Sequence, residues 1–153
     1  MRIRYLSLVM VLTLVGFASV PANLAAHCEI PCGIYDDQMR ANMIAEHITT
    51  IEKSMKEIVA LSGQSPVNYN QLMRWVTNKE NHADELQNIV SQYFMTQRIK
   101  PEDAEYAKKL AVLHQMLISS MKCKQTTDLA NVATLRTQLK EFETLYFGHS
   151  HQE

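Results

Sequence analysis

Four stretches of the chain carry apolar residues three and four positions apart, and this spacing leaves little choice of architecture, because each stretch must be an amphipathic helix with one stripe to bury. In the first, from about Asp36 to Leu61, the seam is Ile44, Ile48, Ile51, Met55 and Ile58. Asp36 and Asp37 place negative charge at its start, where the helix dipole favours it, and Gly63 stands just past its end. The second runs from about Val67 to Arg98 with Leu72, Val76, Ala83, Leu86, Val90 and Tyr93 on one side. Lys79 interrupts that seam, leaving room for a kink near Asn78 to Asn81. Pro101 suits the first turn of a third helix, strengthened by Glu102 and Asp103 and continued by Tyr106, Leu110, Leu113, Leu117 and Met121. A fourth starts at about Asp128, buries Val132, Leu135, Leu139, Phe142 and Tyr146, and stops at Gly148. Strand signals are almost absent. Short connections between such helices predict an all-α fold, an antiparallel up-and-down four-helix bundle over residues 36–148, followed by a flexible tail over 149–153.

The residues ahead of the bundle follow a different logic. Arg2 and Arg4 precede an apolar run from Leu6 to about Val20, and a small-residue stretch closes at Ala25-Ala26. Residues 1–26 therefore read as a secretory signal peptide rather than a membrane span, since Gly16 and Pro21 break the run. Removal needs a maturation protease and implies a periplasmic or secreted protein with no membrane segment in its mature form. A cut after Ala26 is the expectation; a cut after Ala25 is the alternative, because Leu24 is larger than the preferred residue three places before the scissile bond. With 15 basic against 16 acidic residues, no concentrated positive field favours nucleic acid or an anionic membrane surface.

Residues 27–35, between leader and bundle, read His27-Cys28-Glu29-Ile30-Pro31-Cys32-Gly33-Ile34-Tyr35. If His27 is the mature N-terminus, its free amine and imidazole sit on one residue, and Cys28 and Cys32 add two thiolates. The peptide nitrogen between His27 and Cys28 lies inside the chelate ring formed by amine and thiolate. Amine, amidate and two thiolates make a planar set that suits Ni(II) or Cu(II) better than tetrahedral zinc, with the imidazole left to approach along the axis. Pro31 favours a turn that returns Cys32 toward Cys28, and Gly33 allows close backbone approach. The phenol of Tyr35 could hold water or a substrate beside the metal without being a ligand.

This segment, His27-Cys28-x-x-Pro31-Cys32-Gly33-x-Tyr35-Asp36, resembles the N-terminal signature of the nickel-containing superoxide dismutases, and the four helices are similar to that family's subunit. The resemblance implies one nickel ion per subunit and superoxide as substrate, disproportionated to O2 and hydrogen peroxide by Ni(II)/Ni(III) cycling. It also implies a homohexamer, His27, Cys28 and Cys32 as ligands, and Pro31 and Tyr35 as residues shaping the pocket. A second family tyrosine matches Tyr93 in Gln92-Tyr93-Phe94. For the acidic and basic groups that the family sets against the axial histidine, the matching positions are Glu46 and His82, with Arg74 in a further supporting place.

Two other functions remain compatible with these residues. One is an exported helical oligomer that binds nickel or copper without turnover, and the other is a bundle pinned by a Cys28 to Cys32 disulfide. Outside the hook, the methionine-rich seams read as packing, Cys123 as a small buried residue, and His47 and His114 as core or interface histidines. Trp75 faces away from the second seam, where it could mark a subunit contact.

Overall fold

The structure, a computed structural model, describes residues 35–148; the leader, the hook up to Ile34 and the tail from His149 lie outside the described residues. Helix α1 is Asp37–Ser62, α2 is Tyr69–Asn88, α3 is Tyr106–Gln125 and α4 is Leu129–Phe147. Among the described residues there is no strand. Local chemistry sets three of the four starts. Asp36 caps α1 by accepting the Met39 amide at 2.8 Å, Asn68 caps α2 through Gln71, and Asp128 caps α4 through Ala130. Gly148 closes α4 in the left-handed conformation, φ 80°, that glycine adopts without a Cβ penalty.

Each helix packs on its neighbour in sequence and α4 closes back on α1, which makes the four-helix bundle expected from the seams. The pairing is antiparallel. Between α1 and α2 with its continuation through residue 98, Asp37 meets Tyr93, His47 meets His82 and Ser54 meets Asn78, so residue numbers rise on one side as they fall on the other. On α2 and α3, Ala83 faces Ser120 while Gln87 faces Leu117. The core holds Ile44, Ile48, Ile51 and Met55 of α1, Ala83 and Leu86 of α2, and Leu135, Leu139 and Phe142 of α4, as the seams required.

Four details differ from the sequence reading. First, the long second helix is unbroken at Asn78 to Asn81; the change comes later, where Ile89–Arg98 winds as a π-helix. Second, Lys79 does not break the seam but fills it. The residue is 4% exposed, and its ammonium donates to the carbonyl oxygens of Cys123, at 2.9 Å, and of Lys124. These are orphan carbonyls of the last turn of α3, so a long cation from α2 serves as that helix's C-terminal cap. Third, α3 begins at Tyr106 and not at Pro101. The Asp103 carboxylate accepts the Lys100 amide, and the Tyr106 amide donates back to the Asp103 carbonyl, which closes residues 100–106 into turns. Fourth, the buried stripe of α3 is Val112, Leu113, Met116, Ser120 and Cys123, leaving Met121 at 43% exposure and Leu110 and Leu117 half-buried. Small Ser120 lets α2 come close, and its hydroxyl donates to the Ala83 carbonyl at 3.1 Å.

Lys79→Met keeps the buried stem and removes only the ammonium, so it should cost about 1–3 kcal/mol by leaving helix-end carbonyls without a donor. Urea unfolding monitored by circular dichroism measures this, and an unchanged midpoint would show that water satisfies those carbonyls equally well.

Candidate active site

The described chain begins at Tyr35, immediately before α1, and this end of the bundle gathers an unusual set of polar groups around one carboxylate. Asp37 Oδ1 accepts the Tyr93 hydroxyl at 2.5 Å. Its Oδ2 accepts Arg98 Nε at 3.1 Å and Nη2 at 2.8 Å, and the Tyr146 hydroxyl at 2.7 Å. Groups from two other elements, the π-helical segment and α4, therefore converge on a side chain in the first turn of α1.

The π-helical winding makes this convergence possible. Tyr93 and Arg98 are five residues apart, and in an α-helix at about 100° per residue they would point about 140° away from each other. A π-helix pairs residue i with i+5 and brings both to one face. The Ile99 amide bonds the Phe94 carbonyl at 2.9 Å in this register, and Thr96 and Gln97 return their side chains to the carbonyls five residues earlier.

Electrostatics follow from the geometry. Burial works against the Asp37 carboxylate, but hydrogen bonds from Arg98, Tyr93 and Tyr146 outweigh it and hold the pKa below the usual value. The same bonds have the opposite effect on the partners. Burial and the bond to Asp37 raise Tyr93, push Tyr146 up to about 12, and the bond to Asp37 raises Arg98. At neutral pH both phenols keep their protons and the carboxylate stays ionised.

Tyr35 lies against this cluster. Its ring meets Tyr93 edge-on with centroids 6.0 Å apart, and the Arg98 guanidinium stacks over it at 4.3 Å. It remains 39% exposed, whereas Tyr93 is 7% exposed. On its inner side Tyr93 packs on Phe94, which contacts Phe142 and Tyr146 at centroid distances of 4.8 and 5.6 Å. The Arg40 guanidinium lies 5.1 Å from the Tyr93 ring centroid. The site thus has a rigid aromatic wall with one exposed phenol at its rim.

Of the residues singled out in the sequence, the structure brings together Tyr35 and Tyr93. His27, Cys28, Pro31 and Cys32 lie outside the described residues. Glu46 is exposed on α1, nine residues beyond Asp37 or about 14 Å along the helix, in a groove of about 270 Å³ with Thr49, Arg136 and Lys140. Arg74 is exposed near the start of α2, beside Trp75, which packs under Lys53 at 5.6 Å. His82 is half-buried and turned to His47, with the two Nδ1 atoms 2.8 Å apart, so one ring donates and the other accepts. Asp37, Arg98 and Tyr146 were not found from sequence. Asp37 read only as helix-start charge, and no spacing rule joins residues contributed by three elements.

Burial lowers the His47 pKa, and the neighbouring His82 adds to this against the opposing charges of Glu85 and Glu46. A histidine kept neutral by folding contributes stability that is fully present above its unfolded pKa of about 6.5 and is lost as pH falls below that value through the lower folded pKa. His47→Gln should therefore flatten the dependence of the urea midpoint on pH between about 7 and 5; a slope equal to that of the unaltered protein would assign it to other groups.

Fold and site together define a helical-bundle protein whose distinctive groups gather where one chain segment enters the bundle. Residues 22–150 match the model of the nickel-containing superoxide dismutase family. No curated protein and no solved structure matches the chain. The match spans most of the 153 residues, and the chain belongs to the nickel-containing superoxide dismutases. It is a nickel-dependent oxidoreductase that converts superoxide to O2 and hydrogen peroxide.

Proposed function

We propose that the nickel of this dismutase is held by residues 27–32 and that the substrate meets it beside Tyr35. The ligands are the amine and imidazole of His27, the amide nitrogen and thiolate of Cys28, and the thiolate of Cys32. The observation that carries this reading is the position of Tyr35, exposed on one edge, backed by Tyr93 and Arg98, and only three residues after Cys32. Three residues of chain reach at most about 11 Å, so a metal on Cys32 stays in the neighbourhood of that phenol.

The donor set fits nickel, and the cysteine among the described residues is ill suited to compete with it. Cys123, the one cysteine among them, is fully buried, and burial pushes its thiol up to about 11. A neutral buried thiol is a poor ligand, in keeping with Cys28 and Cys32 as the sulfur donors of this reading. Bound nickel supplies a one-electron +2/+3 couple, tuned by its sulfur and nitrogen donors. The chain's own residues do the rest. Tyr35 orients superoxide or water at the rim. Tyr93 commits its proton to Asp37 and presents its ring as a wall, and the Phe94, Phe142 and Tyr146 cluster keeps bulk water from the inner side.

Maturation and assembly belong to the same reading. A protease removes residues 1–26, which creates the amine ligand, and the exported protein acts in the periplasm or outside the cell as a homohexamer with one nickel per subunit. Within one subunit Glu46, His82 and Arg74 stand apart from Tyr35, so a supporting role for them around the hook would act across a subunit contact of that hexamer.

Two measurements test this. Cys28→Ser should abolish both nickel binding and superoxide removal while leaving the helical circular dichroism intact, and a fully active variant would overturn the ligand assignment. The mass of the mature protein should place its N-terminus at His27. A chain beginning at Ala26 puts the amine one residue too far away for the chelate ring.

A further inference from the structure

Asp37 sits two residues after Tyr35 and does more than tie helices together. Its two principal partners on the π-helical segment are the same two groups that touch the Tyr35 ring. Tyr93, held by a 2.5 Å bond to Oδ1, meets that ring edge-on. Arg98, held by two bonds to Oδ2, covers its face at 4.3 Å. A guanidinium is planar, and two of its N–H groups donating to one carboxylate oxygen limit how that plane can turn over the aromatic face. The Asp37 and Arg98 side chains are 18% and 27% exposed, so water competes weakly for these bonds.

We propose that Asp37 and Arg98 are positioning residues of the dismutase. Asp37 sets the plane of the Arg98 guanidinium and the seat of Tyr93, and these two hold the Tyr35 ring at the orientation in which its hydroxyl serves the metal site. This rests on the reading that Tyr35 flanks the nickel. The inference also explains why the helix adopts the wider winding here: an α-helical turn would deliver either the phenol or the guanidinium to Asp37, but not both.

The test uses the mature full-length chain with Arg98→Met, Arg98→Lys and Asp37→Asn. Lys79→Met, 14 residues before Tyr93 on the same helix and about 21 Å along it, is a destabilised control remote from the site. Three quantities are read: nickel bound per chain, the dismutation rate per bound nickel, and the ring NMR signals of Tyr35 in metal-free ¹³C-tyrosine-labelled protein, assigned with Tyr35→Phe. Arg98→Met and Asp37→Asn should move the Tyr35 signals toward those of a solvated tyrosine and lower the rate per nickel about tenfold or more, with nickel content unchanged. Arg98→Lys keeps the charge but not the planar stack and should behave as Arg98→Met, which keeps the proposal testable if Asp37→Asn does not fold. Lys79→Met should keep the wild-type signals and rate. Tyr35 signals that stay in place, or signals that move with no loss of rate, would overturn the proposal. Failure of the wild-type chain to bind nickel through Cys28 would instead overturn the ligand assignment, and the metal-free NMR result would stand apart from it.

Discussion

A carboxylate at the N-terminus of a helix is usually a small matter, a few tenths of a kcal/mol of favourable dipole energy. At Asp37 it has become the junction of the molecule. Two phenols and a guanidinium from the π-helical segment and α4 spend their donors on it, and it lies where the chain passes from the hook into the bundle. The neighbouring groups depend on that junction in turn: the stack on Tyr35, the seat of Tyr93, and the register of residues 89–98. Because the carboxylate is held ionised and the phenols protonated, the cluster keeps one charge state across the neutral range, which would suit the proposed place beside a redox metal.

The bundle was legible because each helix repeats one simple requirement, an apolar stripe, along its whole length. Ile44, Ile48, Ile51 and Met55, or Val132, Leu135, Leu139 and Phe142, announce their burial by spacing alone. What spacing cannot report is chemistry that crosses between helices. Lys79 looked like a gap in a seam because its ammonium is satisfied by carbonyls 44 and 45 residues later in the chain. Met121 looked like core because the stripe on α3 could be drawn two ways, and the closeness permitted by Ser120 chose between them. Pro101 fits a helix start as well as a turn, and the bond from the Lys100 amide to Asp103 decided for the turn.

The proposed metal site divides in the same manner. The hook is contiguous, so its donors stand together in the sequence and their types name the metal's preferences. The scaffold behind it is discontinuous, and only Tyr93 of that scaffold was anticipated, through family resemblance and not through any pattern of its own. On the proposed reading a short segment carries the chemistry because the bundle supplies what a free peptide lacks, a fixed wall and a fixed edge. The aromatic cluster of Phe94, Phe142 and Tyr146 gives that wall close packing, and pairs of this kind contribute about 0.5–1.5 kcal/mol each beyond the area they bury.

The wider winding of residues 89–98 bears on how such a chain tolerates changes of length. A π-helical register is how a helix absorbs a residue without giving up the contacts on either side of it. In a chain one residue shorter at this point, the phenol and the guanidinium would stand four apart and an ordinary α-helix would bring both to the same carboxylate. What selection can hold constant is the meeting of the three groups, while the distance between them in sequence is free to drift. A basic partner sought at a fixed offset from the tyrosine would then be missed in some descendants and found in others, although the site in each was the same.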